Sequence, residues 1–357
     1  GSTPTYSSPF VDYAKDELYV GDGNGRLHKF TGVFKGTPAE VVTGGFPATV
    51  ASGMKLSAPV YYNGNVYIGS QSGAGDLGGK LHRISAANGA LFSSKKLSIA
   101  NAVALREAPI VTGAPTGTGS VFAFLFADGT AGNTTDCAPT TGNTDSCRVV
   151  ARFAPGFANG TDPAQRTYVG RGNNVNSTLF SGAFDDAYYD SANGTGAMYI
   201  VGGEPDDTYI PHLWKIPLVN GVMGQPVMGS KLANKTCSTV DNCGALDTNG
   251  NPPAGNTVKW NWSAVAYAKR SGYEYIYVSM PSNGNQTGCA GACLYMYQLT
   301  GNTWGTSNAA SAGLQTPGGT GGIVIDNNST TPGAAQIYFT QQASGGNAIQ
   351  ASQNGLE

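Results

Sequence analysis

The chemistry-bearing side chains of this chain are densest in one short acidic stretch. Glu204, Asp206 and Asp207 place three carboxylates within four positions, and calcium is bound in proteins mainly by carboxylate and carbonyl oxygens. Calcium is therefore the candidate cofactor, although the spacing is not that of an EF-hand loop. Tyr209 and His212 follow directly, so the same stretch could also support acid–base chemistry such as polysaccharide β-elimination.

A charged pair, Arg106–Glu107, precedes a predicted strand. At the position of Glu107, other copies of a repeat described below carry a serine; these are Ser7, Ser57, Ser177 and Ser263. A serine column broken by one Glu, with an Arg beside it, is what a polar ring around a ligand-binding channel would present. The alternative is a water-filled channel in which Arg106 and Glu107 form a structural ion pair.

Aromatic side chains form a third group of candidates. Trp260 and Trp262 lead into another predicted strand, and Tyr209 lies in the acidic stretch. An aromatic ring stacks on the C–H-rich face of a sugar, while nearby amide and carboxylate groups bind its hydroxyls. We therefore predict ligand contact for Arg106, Glu107, Tyr209, Trp260 and Trp262. For the two tryptophans, packing between sheets is the alternative.

The six cysteines form three close pairs in loop-like segments: Cys137/Cys147, Cys237/Cys243 and Cys289/Cys293. No pair has Cys-x-x-Cys spacing and no histidine lies beside any of them, so zinc is not expected. Three local disulfides are the simpler prediction. Because disulfides persist in oxidising compartments, we expect a secreted, periplasmic or cell-surface protein.

Composition excludes several classes of protein. Only 12% of the 357 residues are charged, the formal net charge is −2, and 52 residues are glycine. Soluble domains usually carry about 25% charged residues and about 7% glycine. A nucleic-acid partner is not expected, since no run of lysine and arginine exists, and no apolar stretch is long enough to span a membrane. The scarcity of Glu and Lys argues against helical bundles, and the abundant turn residues favour an all-β protein.

The candidate residues lie in a chain with an internal sequence repeat. Small-Pro-apolar segments recur at Pro9, Pro59 and Pro109, fifty residues apart. Each is followed by a strand rich in aromatic and β-branched residues, such as Leu18–Gly21 and Val66–Gly69. Period-2 alternation with Asn-Gly or Asp-Gly turns indicates antiparallel strands. Four-stranded sheets that repeat about every 40–50 residues are typical of β-propeller blades.

We therefore predict an all-β fold, a six-bladed β-propeller of four-stranded antiparallel blades, formed by a single domain over residues 3–353. A seven-bladed propeller, a β-sandwich and two separate β-domains are the alternatives. The sixth unit lacks a fourth strand of its own, and residues 3–6 are the candidate to supply it. Residues 1–2 and 356–357 are interpreted as cloning scars. We expect a monomer.

The segment from Gly79 to Leu91, which reads Gly-Lys-Leu-His-Arg-Ile-Ser-Ala-Ala-Asn-Gly-Ala-Leu, resembles the repeat of PQQ-type (quinoprotein-like) propellers. The preceding Val66–Gly69 matches the Val-Tyr-Val-Gly strand of that repeat, and the first unit matches it more loosely. The resemblance implies the propeller fold. PQQ binding is not expected, because the four tryptophans do not recur once per repeat and no two cysteines are adjacent.

Three functions are consistent with these patterns. The first is a non-catalytic binding module for a glycan or a surface protein, and the scarcity of histidines and channel carboxylates favours it. The second is an extracellular carbohydrate-active enzyme, a polysaccharide lyase or glycosidase. The third is a purely structural module of a larger surface protein.

Overall fold

The computed structural model describes residues 7–71, 79–97, 105–113, 119–126, 147–171, 179–204, 210–233, 262–270, 272–286, 289–301, 304–306, 308–326, 336–343 and 345–352. The chain divides into two compact units. Unit 1 comprises residues 1–134 and 142–166, and unit 2 comprises residues 135–141 and 167–357. The prediction of a single domain over residues 3–353 stays a prediction, and residues 3–6 lie outside the described ranges.

Three sheets begin in unit 1. The first contains β1 (Phe10–Asp12), β2 (Glu17–Gly21), β3 (Arg26–Thr31) and β4 (Ala39–Glu40), with β5 (Ala48–Thr49) also paired to β3. The second contains β6 (Val60–Tyr62), β7 (Asn65–Gly69), β8 (Leu81–Ser85) and β9 (Leu91–Ser93). The third contains β10 (Ile110–Thr112), β11 (Ser120–Phe126), β12 (Cys147–Phe153) and β13 (Gln165–Arg171), and the boundary between the units falls within β13.

Three further sheets belong to unit 2. The fourth contains β14 (Ala183–Phe184), β15 (Gly196–Gly203), β16 (Pro211–Val219) and β17 (Val222–Met223), with β18 (Val227–Lys231) also paired to β16. The fifth contains β19 (Ala266–Arg270), β20 (Tyr273–Gln286), β21 (Cys289–Gln298) and β22 (Ala312–Gln315). The sixth contains β23 (Val324–Asp326), β24 (Gln336–Thr340) and β25 (Ala348–Ser352). A single turn of helix, α1 (Asp186–Asp190), joins β14 to β15.

Within each sheet the first three strands follow one another in chain order and pair antiparallel. Such up-and-down sheets, repeated along a chain, are the blades of a propeller. The fold is a β-propeller. The described residues form six sheets, and the sixth has three strands, as its missing fourth strand predicted. The number of blades in the complete fold stays a prediction.

All six sheets share one register. An aromatic residue occupies the same position of the second strand in each, opposite the first residue of the first strand; these residues are Tyr19, Tyr67, Phe122, Tyr199, Tyr277 and Tyr338. Directly across on the third strand, the first four sheets place a cation: Lys29, Arg83, Arg152 and Lys215. The Lys29 Nζ lies 5.6 Å from the Tyr19 ring centroid and the Lys215 Nζ 5.9 Å from that of Tyr199. Each such contact contributes about 0.5–1 kcal/mol.

The aromatic register position seals one sheet against the next. Tyr19 stacks on Tyr61 of the second sheet at 6.0 Å between ring centroids, and Tyr199 meets Trp304 edge-on at 5.1 Å. In the second sheet, Val66 and Ile68 flank Tyr67 along β7 and therefore point to the opposite face of the sheet. On that face they pack in the same core cluster as Tyr19 of the first sheet. The second sheet therefore has apolar residues on both faces.

Glycine ends the second strand where two sheets come closest. A Cβ added at Gly21 would lie 2.8 Å from the Leu56 Cβ, and one at Gly69 would lie 2.4 Å from the Leu105 Cβ. Both leucines are fully buried. The glycine of the Val-Tyr-Ile-Gly pattern is thus required by the approach of the neighbouring chain segment.

Two tyrosines at equivalent register positions differ in burial, so the same substitution should change stability by different amounts. Tyr277 is 1% exposed and Tyr338 is 38% exposed. We expect Tyr277→Ala to lower the free energy of unfolding by about 3–5 kcal/mol, since it removes a large buried ring, and Tyr338→Ala by less than about 1 kcal/mol. Denaturant unfolding measures both, and equal losses would contradict the packing role of this position.

Candidate functional site

The acidic stretch lies between the second and third strands of the fourth sheet. β15 ends at Gly203, Glu204 follows it, and His212 is the second residue of β16. His212 is buried, and its Nδ1 lies 2.9 Å from the Gly229 carbonyl oxygen. Because a carbonyl can only accept, Nδ1 carries the proton and donates it. The lone pair of neutral His212 is therefore on Nε2.

His212 Nε2 faces Glu204. It lies 3.7 Å from the Glu204 Oε1 and has no hydrogen-bond partner among the described residues. The Glu204 side chain is 22% exposed, whereas that of His212 is 5% exposed. The two groups form an ion pair when the imidazole is protonated, and otherwise present an acceptor nitrogen beside a carboxylate. Such a pair can bind a hydroxyl group or contribute to a cation site.

Packing of the strands fixes the position of this pair. The Trp214 Nε1 donates to the Gly203 carbonyl oxygen at 3.0 Å and so holds the start of the loop. A Cβ at Gly202 would lie 2.1 Å from the Val169 carbonyl oxygen, which explains why glycine is needed there. A register shift between His212 and Trp214 against β18 brings the Gly229 carbonyl to the imidazole.

The remaining residues of the acidic stretch, Asp206, Asp207 and Tyr209, lie outside the described residues. Within the described ranges, no three His, Cys, Asp or Glu side chains are grouped closely enough to hold a metal ion. Calcium binding by Glu204, Asp206 and Asp207 stays a prediction.

Arg106 and Glu107 belong to unit 1, where they lead into β10. Both are half-buried. The Glu107 Oε1 accepts a hydrogen bond from the Ala108 backbone N–H at 3.3 Å. Contact of Arg106 and Glu107 with a ligand stays a prediction.

The serine column supports the backbone and does not line a channel as free hydroxyls. The Ser57 Oγ accepts from the Gly69 N–H at 2.9 Å and donates to the Ala58 carbonyl oxygen at 3.0 Å. Ser263 repeats both bonds, with the Ser279 N–H at 2.9 Å and the Ala264 carbonyl oxygen at 2.8 Å. Ser7 accepts from the Gly21 N–H at 2.8 Å, and Ser177 lies outside the described residues. The hydroxyls of Ser7, Ser57 and Ser263 each tie the segment before the first strand to the backbone of the second strand.

Trp262 is 2% exposed and belongs to the core cluster between the fourth and fifth sheets. Its indole packs between sheets, as in the alternative given from the sequence, and its ligand contact stays a prediction. Trp260 lies outside the described residues, and its ligand contact stays a prediction.

One predicted disulfide is present. Cys289 and Cys293 are bonded at an S–S distance of 2.02 Å, and both lie in the first five residues of β21. Cys137, Cys237 and Cys243 lie outside the described residues, as does the side chain of Cys147 at the start of β12. Their pairing stays a prediction.

Sequence reasoning missed the structural role of Asp185. Its Oδ1 accepts from the backbone N–H groups of Tyr188 and Ala197, each at 3.0 Å, and so caps α1. Burial raises the pKa of this carboxyl, against the effect of the two backbone hydrogen bonds. The signal was an Asp directly before a potential helical turn.

Asp185 and His212 lie far apart along the fourth sheet. The β15 residue paired with Phe184 and the one paired with His212 are four residues apart, or about 13 Å, so Asp185 and His212 do not share a pocket.

A second buried titratable group, His82, is also structural. Its Nδ1 lies 2.8 Å from the Ser93 Oγ and its Nε2 2.9 Å from the Ser70 Oγ. Burial lowers the pKa of His82 to about 3. The imidazole is therefore neutral at physiological pH and serves as a hydrogen-bonding link between strands.

The raised pKa of Asp185 predicts a pH effect on stability. Since its folded-state pKa lies above the unfolded value, its contribution to the free energy of unfolding is fully present below the unfolded pKa. That contribution is lost as pH rises through the folded pKa. Asp185→Asn keeps an acceptor for both N–H groups and cannot ionise. We expect the stability of the variant relative to the native chain to increase between about pH 4 and pH 7.

Urea unfolding at several pH values measures this difference. Asp190→Asn, which changes an exposed aspartate at the other end of α1, is the matched control and should leave the pH dependence unchanged. A constant difference for Asp185→Asn across the range would contradict the effect of burial.

Comparisons with known proteins give a likeness of fold. No family model matches the chain, and no curated protein matches it. Among solved structures, dihydro-heme d1 dehydrogenase NirN, in complex with DHE, matches at 13% identity and a TM-score of 0.48, over 98% of this chain and 55% of that one. BamB from Moraxella catarrhalis matches at 12% and 0.42, over 94% and 82%. Quinohemoprotein alcohol dehydrogenase from Comamonas testosteroni matches at 11% and 0.42, over 95% and 64%.

The chain resembles PQQ-like propellers. It spans little more than half of the NirN chain and less than two thirds of the alcohol dehydrogenase. At these identities and TM-scores the likeness concerns architecture alone. Among the residues that the structure describes, no helix has the length and apolar character needed to cross a membrane.

Proposed function

We propose that this chain is a non-catalytic binding module of a secreted, periplasmic or cell-surface protein, and that its ligand is a glycan or a surface protein. The proposal is supported by one observation: the buried titratable groups form hydrogen bonds that stabilise the fold. Asp185 caps a helix, His82 links two serines, and His212 donates to a backbone carbonyl. Groups whose hydrogen bonds serve the fold in this way are held in place by it and do not converge on a reacting atom.

The location outside the cytoplasm is supported by the Cys289–Cys293 disulfide. Within the proposal, Glu204 contributes to a calcium site with Asp206 and Asp207. Arg106 and Glu107 are the proposed ligand contacts of unit 1, and Tyr209 and Trp260 are those of unit 2, where Trp262 packs in the core. PQQ has no place in the proposed function. The chain acts as a monomer.

A glycan array, probed with the purified chain in calcium and in chelator, tests the proposal. We expect binding in calcium, loss of binding on Arg106→Ala, and calcium-dependent thermal stabilisation that disappears in Glu204→Gln. Arg270→Ala, at the β19–β20 hairpin, is the control and should bind like the native chain. No glycan binding, together with no capture of a cell-surface protein, would leave a structural module and overturn the proposal.

One observation favours a second candidate, the polysaccharide lyase or glycosidase. The His212 Nε2 beside Glu204 is a buried acceptor nitrogen with no hydrogen-bond partner among the described residues, the kind of group that accepts a proton in acid–base catalysis. Incubation with acidic and neutral polysaccharides decides between the two. Product formation that His212→Gln abolishes would replace the binding proposal with catalysis, and its absence with binding intact supports the binding module.

A further inference from the structure

Two exposed aromatic rings lie together at one end of the first sheet, in the turns that connect its strands. Tyr13, in the β1–β2 turn, is 67% exposed, and Phe34, in the β3–β4 loop, is 52% exposed. Their ring centroids are 4.8 Å apart and their planes are tilted by 40°. Single exposed aromatics are common on protein surfaces, whereas an adjacent pair contributed by two separate loops forms a patch that a partner can cover.

Hydrogen bonds hold both loops in place. The two Asp16 carboxylate oxygens accept from the backbone N–H groups of Phe34 and Lys35, at 2.7 and 3.1 Å. The Asp12 Oδ1 accepts from the N–H groups of Ala14 and Lys15, each at 3.1 Å. Two loops that are distant in sequence are thus linked through Asp16, so the pair is preorganised and loses little conformational entropy on binding.

Charge around the pair is unevenly exposed. The Asp12 side chain is 14% exposed and that of Lys15 is 51% exposed, and the Asp16 oxygens are engaged by backbone. Lys35 is exposed, and its Nζ donates to the Tyr13 carbonyl oxygen at 3.0 Å. An ammonium group has three donors, so Lys35 keeps donors for a ligand. The Lys15 Nζ lies 4.0 Å from the Asp12 Oδ2 and donates to the Tyr61 hydroxyl. With three donors on each ammonium group, the exposed Lys15 and Lys35 side chains both keep donors for a ligand.

We propose that Tyr13 and Phe34, with Lys15 and Lys35, form a binding surface for an anionic polysaccharide composed of uronic acids. The two rings supply faces for the C–H-rich side of successive sugars, and the ammonium groups bind the sugar carboxylates by charge-assisted hydrogen bonds. Neutral sugars would gain only the stacking contacts. This surface uses side chains other than Arg106 and Glu204 of the proposed function and adds a second contact to the module.

Binding of immobilised alginate, a polyuronate, tests the inference, with dextran as the neutral polymer and polyglutamate as an anion without sugar rings. We expect the native chain to prefer alginate to both. Tyr13→Ala and Phe34→Ala should each weaken alginate binding about tenfold, the effect of one lost aromatic contact. Lys35→Met should weaken it as well and reduce its dependence on salt.

Tyr273→Ala is the matched control, because Tyr273 is an exposed tyrosine, 48% exposed, next to the β19–β20 turn of the fifth sheet. It should bind alginate like the native chain. Thermal unfolding of every variant should stay close to that of the native chain, since the substituted side chains are exposed.

Three results would overturn the inference: no alginate binding by the native chain, unchanged affinity in Tyr13→Ala and Phe34→Ala, or polyglutamate binding as tight as alginate binding. Arg106→Ala and Glu204→Gln separate the two proposals. If these two variants lose alginate binding while Tyr13→Ala keeps it, the proposed function stands and this surface is wrong. The reverse result supports this surface alone.

Discussion

The close approach of successive sheets is the constraint on which the rest of this structure depends. Gly21 and Gly69 have no room for a Cβ beside Leu56 and Leu105, and a ring at the shared register position fills the space farther along the strand. In the first two sheets, a glycine at one end of the second strand and an aromatic residue near its middle therefore set the distance to the next chain segment. Without both, the apolar faces could not interdigitate at the density that protein interiors require.

This packing determines where the polar groups go. Bringing sheets together buries backbone N–H groups at the strand ends, and each must find an acceptor. Ser57 and Ser263 provide acceptors at equivalent positions, and Asp185 does so for the fourth sheet. With few ionisable residues in the chain, most of the buried ones serve the fold. Recognition is then left to the loops and strand edges, which is consistent with a module that binds.

The repeat could be predicted from sequence because its signals are local. Val66–Gly69 shows the alternation, the aromatic and the closing glycine within one strand, and the observed register confirms its equivalence to Leu18–Gly21. The resemblance to PQQ-like propellers and the Cys289–Cys293 disulfide are confirmed for the same reason. The predicted site residues were harder, since polar residues at equivalent repeat positions are compatible with a channel lining or with a backbone acceptor. Only the direction of the Ser57 hydroxyl decides between these. The Tyr13–Phe34 pair joins loops that carry no common motif, so nothing in the sequence links them.

The most direct test of this account compares two glycines of unit 1 that both have ordinary backbone angles. Gly69 has no space for a Cβ, whereas a Cβ at Gly156 would meet nothing within 4 Å. We predict that Gly69→Ala lowers the free energy of unfolding by about 1–3 kcal/mol or more through overpacking. Gly156→Ala should leave it unchanged or raise it by up to about 1 kcal/mol. Equal stability of the two variants would contradict the claim that sheet-to-sheet contact at this glycine organises the fold.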